Sequence, residues 1–181
     1  MASKGAHRVA IINTEDNNKI VGICTQSHLV RILVDNPHLF GQLGSSPVGS
    51  LISIGASEVV SAPADRPLRE VLETLLAENC TAMPLVDASG AIVANVSVTD
   101  VRTLANLSAA EADAVLDKPA LDTAAAAGSD GKPRPPLTVR PTDTLAVAVG
   151  IMMAAGVHRV YMVDAERHPI GVLSLTDVLR L

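Results

Sequence analysis

The strongest constraint on the fold of this chain is an internal repeat. Residues 67–104 align with residues 144–181 without a gap when the sequence is shifted by 77 residues. The apolar positions match along both segments, and the segments share a Ser-x-Thr-Asp ending, at residues 97–100 and 174–177. A repeat of this length predicts one supersecondary unit that occurs more than once in the fold.

A third, partial copy opens the chain at residues 7–33. It begins with His-Arg, which the last copy has at residues 158–159, and it keeps the spacing from that pair's second strand to the Ser-x-Thr-Asp ending. His28 stands where the full copies have an aspartate. Three copies with common offsets cannot come from shared composition.

Each full copy predicts the order β-α-β-β-α. Apolar residues at helical spacing alternate with short apolar runs, and Asp and Gly mark a tight turn between the two runs. For the middle copy we predict a helix over 68–76, strands at Met83–Val86 and Ile92–Ser97, a turn at Asp87–Gly90 and a second helix opened by Thr99 and Asp100. Short strands before the first helices are predicted near Glu58–Ser61 and Leu137–Val139, and the apolar run Leu145–Val157 predicts a buried helix.

Two linkers separate the copies. Residues 35–55 are rich in Gly, Ser and Pro and predict a loop with at most one helical turn. Ser108 and Glu111 have capping-box spacing, which predicts a short helix over Ser108–Leu116. The segment Ala124–Pro136 is predicted to be mobile. The predicted organisation is a half repeat at 1–34, a linker at 35–57, a repeat at 58–106, a partly flexible linker at 107–136 and a repeat at 137–181.

Composition excludes several classes of function. The net charge is −5, and the chain has one Phe, one Tyr and no Trp, which is unlike a nucleic-acid-binding surface. The longest apolar run is too short to span a bilayer. Cys24 and Cys80 lack the spacing of a zinc site and fit a reducing compartment. We therefore predict no nucleic-acid or membrane partner and a cytoplasmic location, with the nucleus as the alternative.

Catalytic motifs are missing as well. His158, Ser174 and Asp177 are the residue types of a hydrolase triad, but the repeat already explains all three and no G-x-S-x-G elbow accompanies them. Gly131-Lys132 is followed by proline and lacks the upstream glycine of a P-loop. No carboxylate cluster suggests a metal. We predict a non-enzymatic protein with no catalytic or metal-binding residues and no cofactor.

The Ser-x-Thr-Asp endings have two readings. Hydroxyls and carboxylates at a helix start cap the backbone N–H groups, which contributes about 1 kcal/mol. The same position suits anion binding, and a carboxylate there can accept the hydroxyls of a nucleoside. Both roles can coexist on one residue.

This unit resembles the CBS domain, which is named after cystathionine β-synthase. The last 25 residues and the opening His-Arg segment look like repeats of the gamma subunit of AMP-activated protein kinase. The resemblance implies an α+β fold in which tandem CBS repeats pair into one module, with an N-terminal half repeat. We expect repeats 58–106 and 137–181 to pair around one aliphatic core.

The resemblance also implies a site and its partners. AMP, ADP or ATP is the expected ligand, with ribose on the aspartates and phosphate near the His-Arg pairs. Its partners would be the catalytic and scaffold subunits of a protein kinase, or another CBS chain. The residues that the resemblance implies for nucleotide binding are Asp100, Asp177, Thr99, Thr176, Ser97, Ser174, Thr81, His158, Arg159, His7 and Arg8.

The chain departs from the family at two points, and two alternative functions remain open. Relative to the gamma subunit, the chain lacks the first repeat and half of the second, so its opening strands would expose an apolar edge. The site at His28 is expected to be empty or altered, because neutral imidazole cannot accept two hydroxyls. Residues 55–60 and Leu137–Val139 would frame adenine, while Cys80 would serve packing. A scaffold with degenerate sites, or a sensor of another adenosyl ligand, are the alternatives.

Overall fold

A computed structural model describes residues 6–51, 59–126 and 135–181, without the side chain of Thr103. Its strands are β1 Arg8–Asn13, β2 Lys19–Thr25, β3 Ala62–Pro63, β4 Ala82–Val86, β5 Ile92–Ser97, β6 Thr138–Val139, β7 Arg159–Val163 and β8 Pro169–Ser174. Its α-helices are α1 Gln26–Asp35, α2 Val48–Leu51, α3 Leu68–Ala77, α4 Ala109–Leu116, α5 Ala120–Ala126, α6 Leu145–Ala155 and α7 Leu175–Val178. Two 3₁₀ segments span Pro37–Ser45 and Asp100–Asn106.

The strands confirm the predicted repeat. The sheet orders are β1-β2, β3-β4-β5 and β6-β7-β8. Each copy therefore contains one pair of consecutive strands: β1 and β2, β4 and β5, or β7 and β8. In both full copies a two-residue strand pairs in parallel with the first strand of that pair, β3 with β4 and β6 with β7. This is the α+β architecture that the repeat predicts, except that the second helix of the middle copy is the 3₁₀ segment Asp100–Asn106 and not an α-helix.

One predicted strand is displaced along the chain. The strand expected at Glu58–Ser61 lies at Ala62–Pro63, where Ala62 pairs with Leu85 and is buried. Proline is tolerated here because β3 lies at the edge of its sheet. Glu58 itself falls outside the described residues.

The first helices follow from apolar periodicity. In α3 the buried positions are Leu68, Val71 and Leu75, which are spaced three and four residues apart on one face. Helix α6 is apolar nearly throughout, as the run from Leu145 predicts, and it ends at Gly156. That residue has φ +66°, the left-handed conformation that favours glycine at a helix C-terminus.

The linkers contain more structure than predicted. The first was expected to be a loop, yet it contains α2 and a 3₁₀ segment interrupted at Gly41. Its side chains Phe40 and Val48 are buried, which holds these turns in place. In the second linker the predicted helix is confirmed as α4, with Ser108 as its N-cap.

Helix α5 was not predicted, and its last residues were expected to be mobile. Ala120 and Ala124 are buried in the core beside α3, β4 and β5. Small alanine side chains allow this helix to approach the sheet closely, and such a run resembles a linker in composition. Residues 127–134 of the expected mobile segment lie outside the described residues.

The contacts between Cα atoms divide the chain into two compact units. The first comprises the described residues of Met1–Ala56, Leu137–Met162 and Gly171–Leu181, in which α1 contacts α6 and α7. The second comprises those of Ser57–Pro136 and Val163–Ile170. This grouping differs from the expected pairing of repeats 58–106 and 137–181. Most of the last repeat lies with the partial repeat, and only its β7–β8 turn lies with the middle one. Among the described helices, none is long and apolar enough to cross a membrane.

Within the second unit, His168 joins two turns. Its Nδ1 lies 2.9 Å from Asp164 Oδ2, and its Nε2 lies 2.9 Å from the carbonyl oxygen of Ser89. Both partners are hydrogen-bond acceptors, so this arrangement favours the doubly protonated, positively charged form of the ring. The Asp164 carboxylate and the Ser89 carbonyl raise the pKa of His168. Ile92 N–H, which donates to Arg167 O at 3.0 Å, fixes the same turns.

Two neighbouring leucines of α3 test which face of this helix is buried in the core. Leu75→Ala should lower the free energy of unfolding by about 2–5 kcal/mol, because it leaves a cavity in the core. Leu75 is 2% exposed, whereas Leu76 is 83% exposed. Leu76→Ala should therefore change the free energy by less than about 0.5 kcal/mol. Urea unfolding followed by circular dichroism measures both, and equal losses would contradict the assigned face.

The bonds of His168 predict a pH-dependent stability. A folded-state pKa above the ordinary value of about 6.5 stabilises the fold in full below that value. The contribution is lost as the pH rises through the raised pKa. The destabilisation caused by His168→Gln should therefore be larger at about pH 6 than at about pH 9.

Urea midpoints of both proteins at the two pH values measure this difference. His38→Gln, at an exposed histidine outside these turns, is the control and should not reproduce it. A His168→Gln effect that is independent of pH would show that the ring is not charged in the folded protein. At acid pH the Asp164 carboxylate changes stability in the opposite direction, because a lowered pKa stabilises the fold above the ordinary value and this contribution is lost as the pH falls. Burial raises its pKa, but hydrogen bonds from the backbone and ring of His168 outweigh this and lower it.

Candidate functional site

One backbone hydrogen bond recurs in all three copies and places the candidate residues side by side. The residue after the second strand of each pair donates its N–H to the carbonyl of the residue just before the first strand. The three bonds are Gln26 N to His7 O at 3.1 Å, Val98 N to Thr81 O at 3.0 Å and Leu175 N to His158 O at 3.0 Å. In each copy the expected phosphate-contacting position therefore lies beside the expected ribose-contacting turn.

The aspartates of the full copies take part in the predicted capping. Asp177 Oδ2 accepts hydrogen bonds from Ser174 N at 2.9 Å and from Ser174 Oγ at 2.6 Å. Asp100 Oδ2 accepts the same two bonds from Ser97, both at 2.8 Å. The serine, rather than the Thr-Asp pair alone, therefore organises each turn.

His28 keeps the same geometry in the partial copy. The N–H of Thr25 donates to His28 Nδ1 at 3.4 Å, and the N–H of His28 donates to Thr25 Oγ1 at 3.2 Å. Because Nδ1 accepts this bond, it carries no proton. Histidine thus replaces the aspartate as a cap but brings no negative charge.

Gln26 connects two candidate residues in the first unit. Its Oε1 accepts a hydrogen bond from Thr176 Oγ1 at 3.2 Å and lies 3.3 Å from His7 Nδ1. Its Nε2 donates to the carbonyl of Ala6 at 3.4 Å, and the residue is buried. Gln26 was not among the residues predicted from the sequence. The available signal was a polar residue at a repeat position where the last copy has Leu175.

The other candidates lie at the starts of the strands and of the 3₁₀ segment. Arg8 is exposed at the first position of β1, and Arg159 is half-buried at the first position of β7. Thr81 is exposed directly before β4. Thr99 is exposed and its side chain makes no capping hydrogen bond, so the capping reading does not hold for this residue, and its expected nucleotide contact stays a prediction.

The expected adenine-framing segments are described in part. Residues 55–58 lie outside the described residues, and Val60 packs against the core of the second unit. Leu137 accepts a backbone hydrogen bond from Tyr161 at 3.1 Å. Cys80 also packs against that core, in agreement with the predicted structural role. An apolar cleft of the first unit, between Phe40 and Ala146, includes none of the candidate residues.

The β7–β8 turn brings together three residues that sequence analysis did not group. Ligand atoms of Asp164, Glu166 and His168 lie within 4.8 Å of one another. The sequence suggested no carboxylate cluster for a metal, and this grouping was not predicted from it. Both nitrogens of His168 already contact hydrogen-bond acceptors, so a cation would have to displace one of these bonds.

Comparison with known proteins identifies the family. The model of the CBS domain matches residues 51–106 and 133–181, which is more than half of the chain. The chain therefore belongs to the CBS domain family. The repeat, its paired strands and its Ser-x-Thr-Asp turns are the features that the two matched segments have in common.

Two curated relatives are similar over most of the chain. Protein sds23 of Aspergillus niger is 30% identical over 171 residues, which is 88% of this chain and 32% of that protein. The 5'-AMP-activated protein kinase subunit gamma of Dictyostelium discoideum is 30% identical over 179 residues, covering 96% of this chain and 30% of that protein. The chain thus spans about a third of the length of these relatives.

Two solved structures share the fold. One is a Methanocaldococcus jannaschii protein proposed to be an archaeal homologue of the same gamma subunit. It has a TM-score of 0.74 at 19% identity and covers 99% of this chain and 60% of that one. The other is a CBS domain protein from Pyrobaculum aerophilum complexed with AMP. It has a TM-score of 0.55 at 26% identity and covers 71% of this chain and 87% of that one.

The Ser174 cap can be tested by its contribution to stability. Ser174→Ala removes the hydroxyl that accepts from the N–H of Asp177 and donates to its carboxylate. It should lower the free energy of unfolding by about 0.5–2 kcal/mol, and Ser174→Thr should restore most of this. Thermal and urea unfolding measure both variants. An alanine variant as stable as the parent would contradict the capping geometry.

Proposed function

We propose that this chain is an adenine-nucleotide-sensing regulatory module. The observation that carries the proposal is the Leu175–His158 backbone hydrogen bond, which lies beside the Ser174–Asp177 turn. This bond holds the backbone at the start of the His158-Arg159 pair beside the turn that carries the Asp177 carboxylate. The AMP complex of the Pyrobaculum protein and the similarity to the Dictyostelium gamma subunit support this assignment.

The chemistry of Asp177 is compatible with both capping and ligand binding. A carboxylate offers about four acceptor positions, and the bonds from Ser174 occupy two of them on Oδ2. The ribose hydroxyls of a nucleotide would be accepted by the remaining capacity. Arg159 and His158 would contact the phosphate, because guanidinium donors match phosphate oxygens. Ser97, Thr81 and Asp100 would supply an equivalent site in the second unit.

We infer a regulatory and non-catalytic role. Nucleotide binding would act by favouring one of two arrangements of the module, in proportion to its different affinities for them. The catalytic and scaffold subunits of a protein kinase are the proposed partners, with another CBS chain as the alternative. An sds23 protein and the kinase gamma subunit are equally similar to this chain, so the alternative partner is retained beside the kinase subunits. The proposed location is the cytoplasm.

Calorimetric titration with AMP tests the site. We expect saturable binding by the parent chain and a loss of roughly 10–100-fold in affinity for Asp177→Ala, the range for losing hydrogen bonds to a charged group. Since Asp177 also caps α7, a matched control is needed. His28→Ala removes the acceptor of the equivalent cap without removing a carboxylate, and it should leave AMP affinity unchanged.

Further ligands separate the alternatives. ADP, ATP and adenosine should be titrated against the same proteins, with Asp100→Ala to examine the second unit. Adenosine that binds as tightly as AMP would remove the phosphate role of His158 and Arg159 and favour another adenosyl ligand. A folded parent chain that binds no nucleotide would overturn the proposal in favour of a scaffold with degenerate sites.

A further inference from the structure

Gln26 is a buried polar residue at a position where the fold does not require one. It follows β2, and the residues that follow the second strands of the other two pairs are Val98 and Leu175. Gln26 is 6% exposed and Leu175 is 2% exposed, so an aliphatic side chain can fill this position. Burying an amide costs free energy unless its polar atoms form hydrogen bonds. The partners of the Gln26 amide therefore show what the residue contributes.

The carbonyl of Ala6 fixes the orientation of that amide. A carbonyl oxygen only accepts hydrogen bonds, so the amide atom that lies 3.4 Å from it is the donor Nε2. The amide oxygen Oε1 then lies 3.2 Å from Thr176 Oγ1 and 3.3 Å from His7 Nδ1. Exchanging the two amide atoms would place Oε1 against a second acceptor. The position of Oε1 therefore follows from the backbone at Ala6 and needs no ligand.

The Gln26 oxygen selects one tautomer of His7. An amide oxygen has no proton to donate, so its contact with His7 Nδ1 favours the ring with the proton on that nitrogen. In the neutral ring Nε2 is then the acceptor. His28 has the opposite arrangement, because its Nδ1 accepts from the N–H of Thr25 and the proton lies on Nε2. Two histidines of the partial repeat are thus held in different tautomers.

The same oxygen uses the single proton of the Thr176 hydroxyl. Thr176 Oγ1 donates to it at 3.2 Å, so this hydroxyl can only accept a hydrogen bond from a ligand. Deprotonated phosphate oxygens are acceptors as well and cannot pair with it, whereas the hydroxyls of a sugar can donate to it. The next residue, Asp177, is also an acceptor through its carboxylate. Two neighbouring residues of this turn therefore accept hydrogen bonds.

We propose that Gln26 is a positioning residue that decides which atoms of the first unit's site donate hydrogen bonds and which accept them. Its oxygen holds His7 with the proton on Nδ1 and holds Thr176 as an acceptor toward the ligand. Thr176 therefore contacts a sugar hydroxyl of the ligand, beside Asp177, and not a phosphate oxygen. The contact of Thr176 rests on the proposed nucleotide function, whereas the tautomer of His7 does not.

The tautomer of His7 can be measured without a ligand. Long-range ¹H–¹⁵N correlation spectra of the imidazole rings distinguish the two neutral tautomers at about pH 9, above the ordinary histidine pKa of about 6.5. In the parent chain we expect the proton on Nδ1 of His7 and on Nε2 of His28. Gln26→Leu should move His7 toward the Nε2-protonated form, because the acceptor at Nδ1 is lost, and should leave His28 unchanged. Spectra of His7→Gln and His28→Ala assign the two rings.

Gln26→Glu is the matched variant. Its carboxylate keeps an acceptor for Nδ1 but lacks the NH2 group that donates to Ala6, so His7 should stay protonated on Nδ1. A purely structural Gln26 would give the same His7 tautomer in the parent and in both variants. Gln26→Leu should fold as the parent does, since the last repeat has Leu175 at this position, and circular dichroism checks both variants.

Thr176→Val tests the contact with the ligand. Valine has nearly the shape of threonine and lacks its hydroxyl. When Thr176 accepts from a sugar hydroxyl, the variant should lose affinity for AMP and for adenosine by the same factor, roughly 2–10-fold, the range for a hydrogen bond between uncharged groups. A contact with phosphate would instead weaken the binding of AMP alone. Calorimetric titration of both ligands measures the two factors.

Three results would overturn the proposal. The first is a His7 that carries its proton on Nε2 in the parent chain, and the second is a His7 tautomer that Gln26→Leu does not change. The third is a loss of AMP affinity in Thr176→Val without a loss of adenosine affinity, which would assign the hydroxyl to phosphate. A chain that binds neither ligand would contradict the proposed function, and the tautomer of His7 would then decide the role of Gln26 by itself.

Discussion

The backbone hydrogen bond that closes each pair of strands is the interaction on which the rest of this structure depends. It joins the residue after the second strand to the carbonyl before the first, in all three copies and at nearly the same length. Residues 17 positions apart in the full copies and 19 apart in the partial copy are thereby held side by side. The turn that follows is then fixed by its own cap, whether aspartate or histidine supplies the acceptor. Binding residues placed on this scaffold would inherit their positions from backbone geometry and would need little further ordering.

Much of this arrangement could be predicted from the sequence, because it rests on local patterns. The strands β4, β5 and β7 follow short apolar runs, and α3 and α6 follow helical spacing. The aspartate turns follow from a serine three residues ahead, which is a local relation as well. The correct elements are those whose stabilising contacts lie within about ten residues or are repeated elsewhere in the chain.

The errors arise where distant contacts decide the structure. The composition of helix α5 is that of a linker, and only its packing against the core makes it a helix. The segment around Val48 is rich in glycine and proline, which predicts a loop, but burial of the Val48 side chain fixes a helical turn there. Gln26 gains its meaning from Thr176, which is 150 residues away. The grouping of Asp164, Glu166 and His168 depends on a turn in which Arg167 has φ +70°, an unusual conformation for that residue. None of these relations leaves a periodic signal.

His28 separates the structural role of the turn from its chemical role. It forms the same capping box as Asp177, so the cap itself does not require a carboxylate. What the aspartate adds is a negative charge and a second oxygen. An imidazole whose Nδ1 already accepts a backbone bond has no further acceptor to offer, whereas the carboxylate of Asp177 has one. Asp177 therefore gives the last turn acceptor capacity on its carboxylate beyond the two bonds that Ser174 donates to its Oδ2.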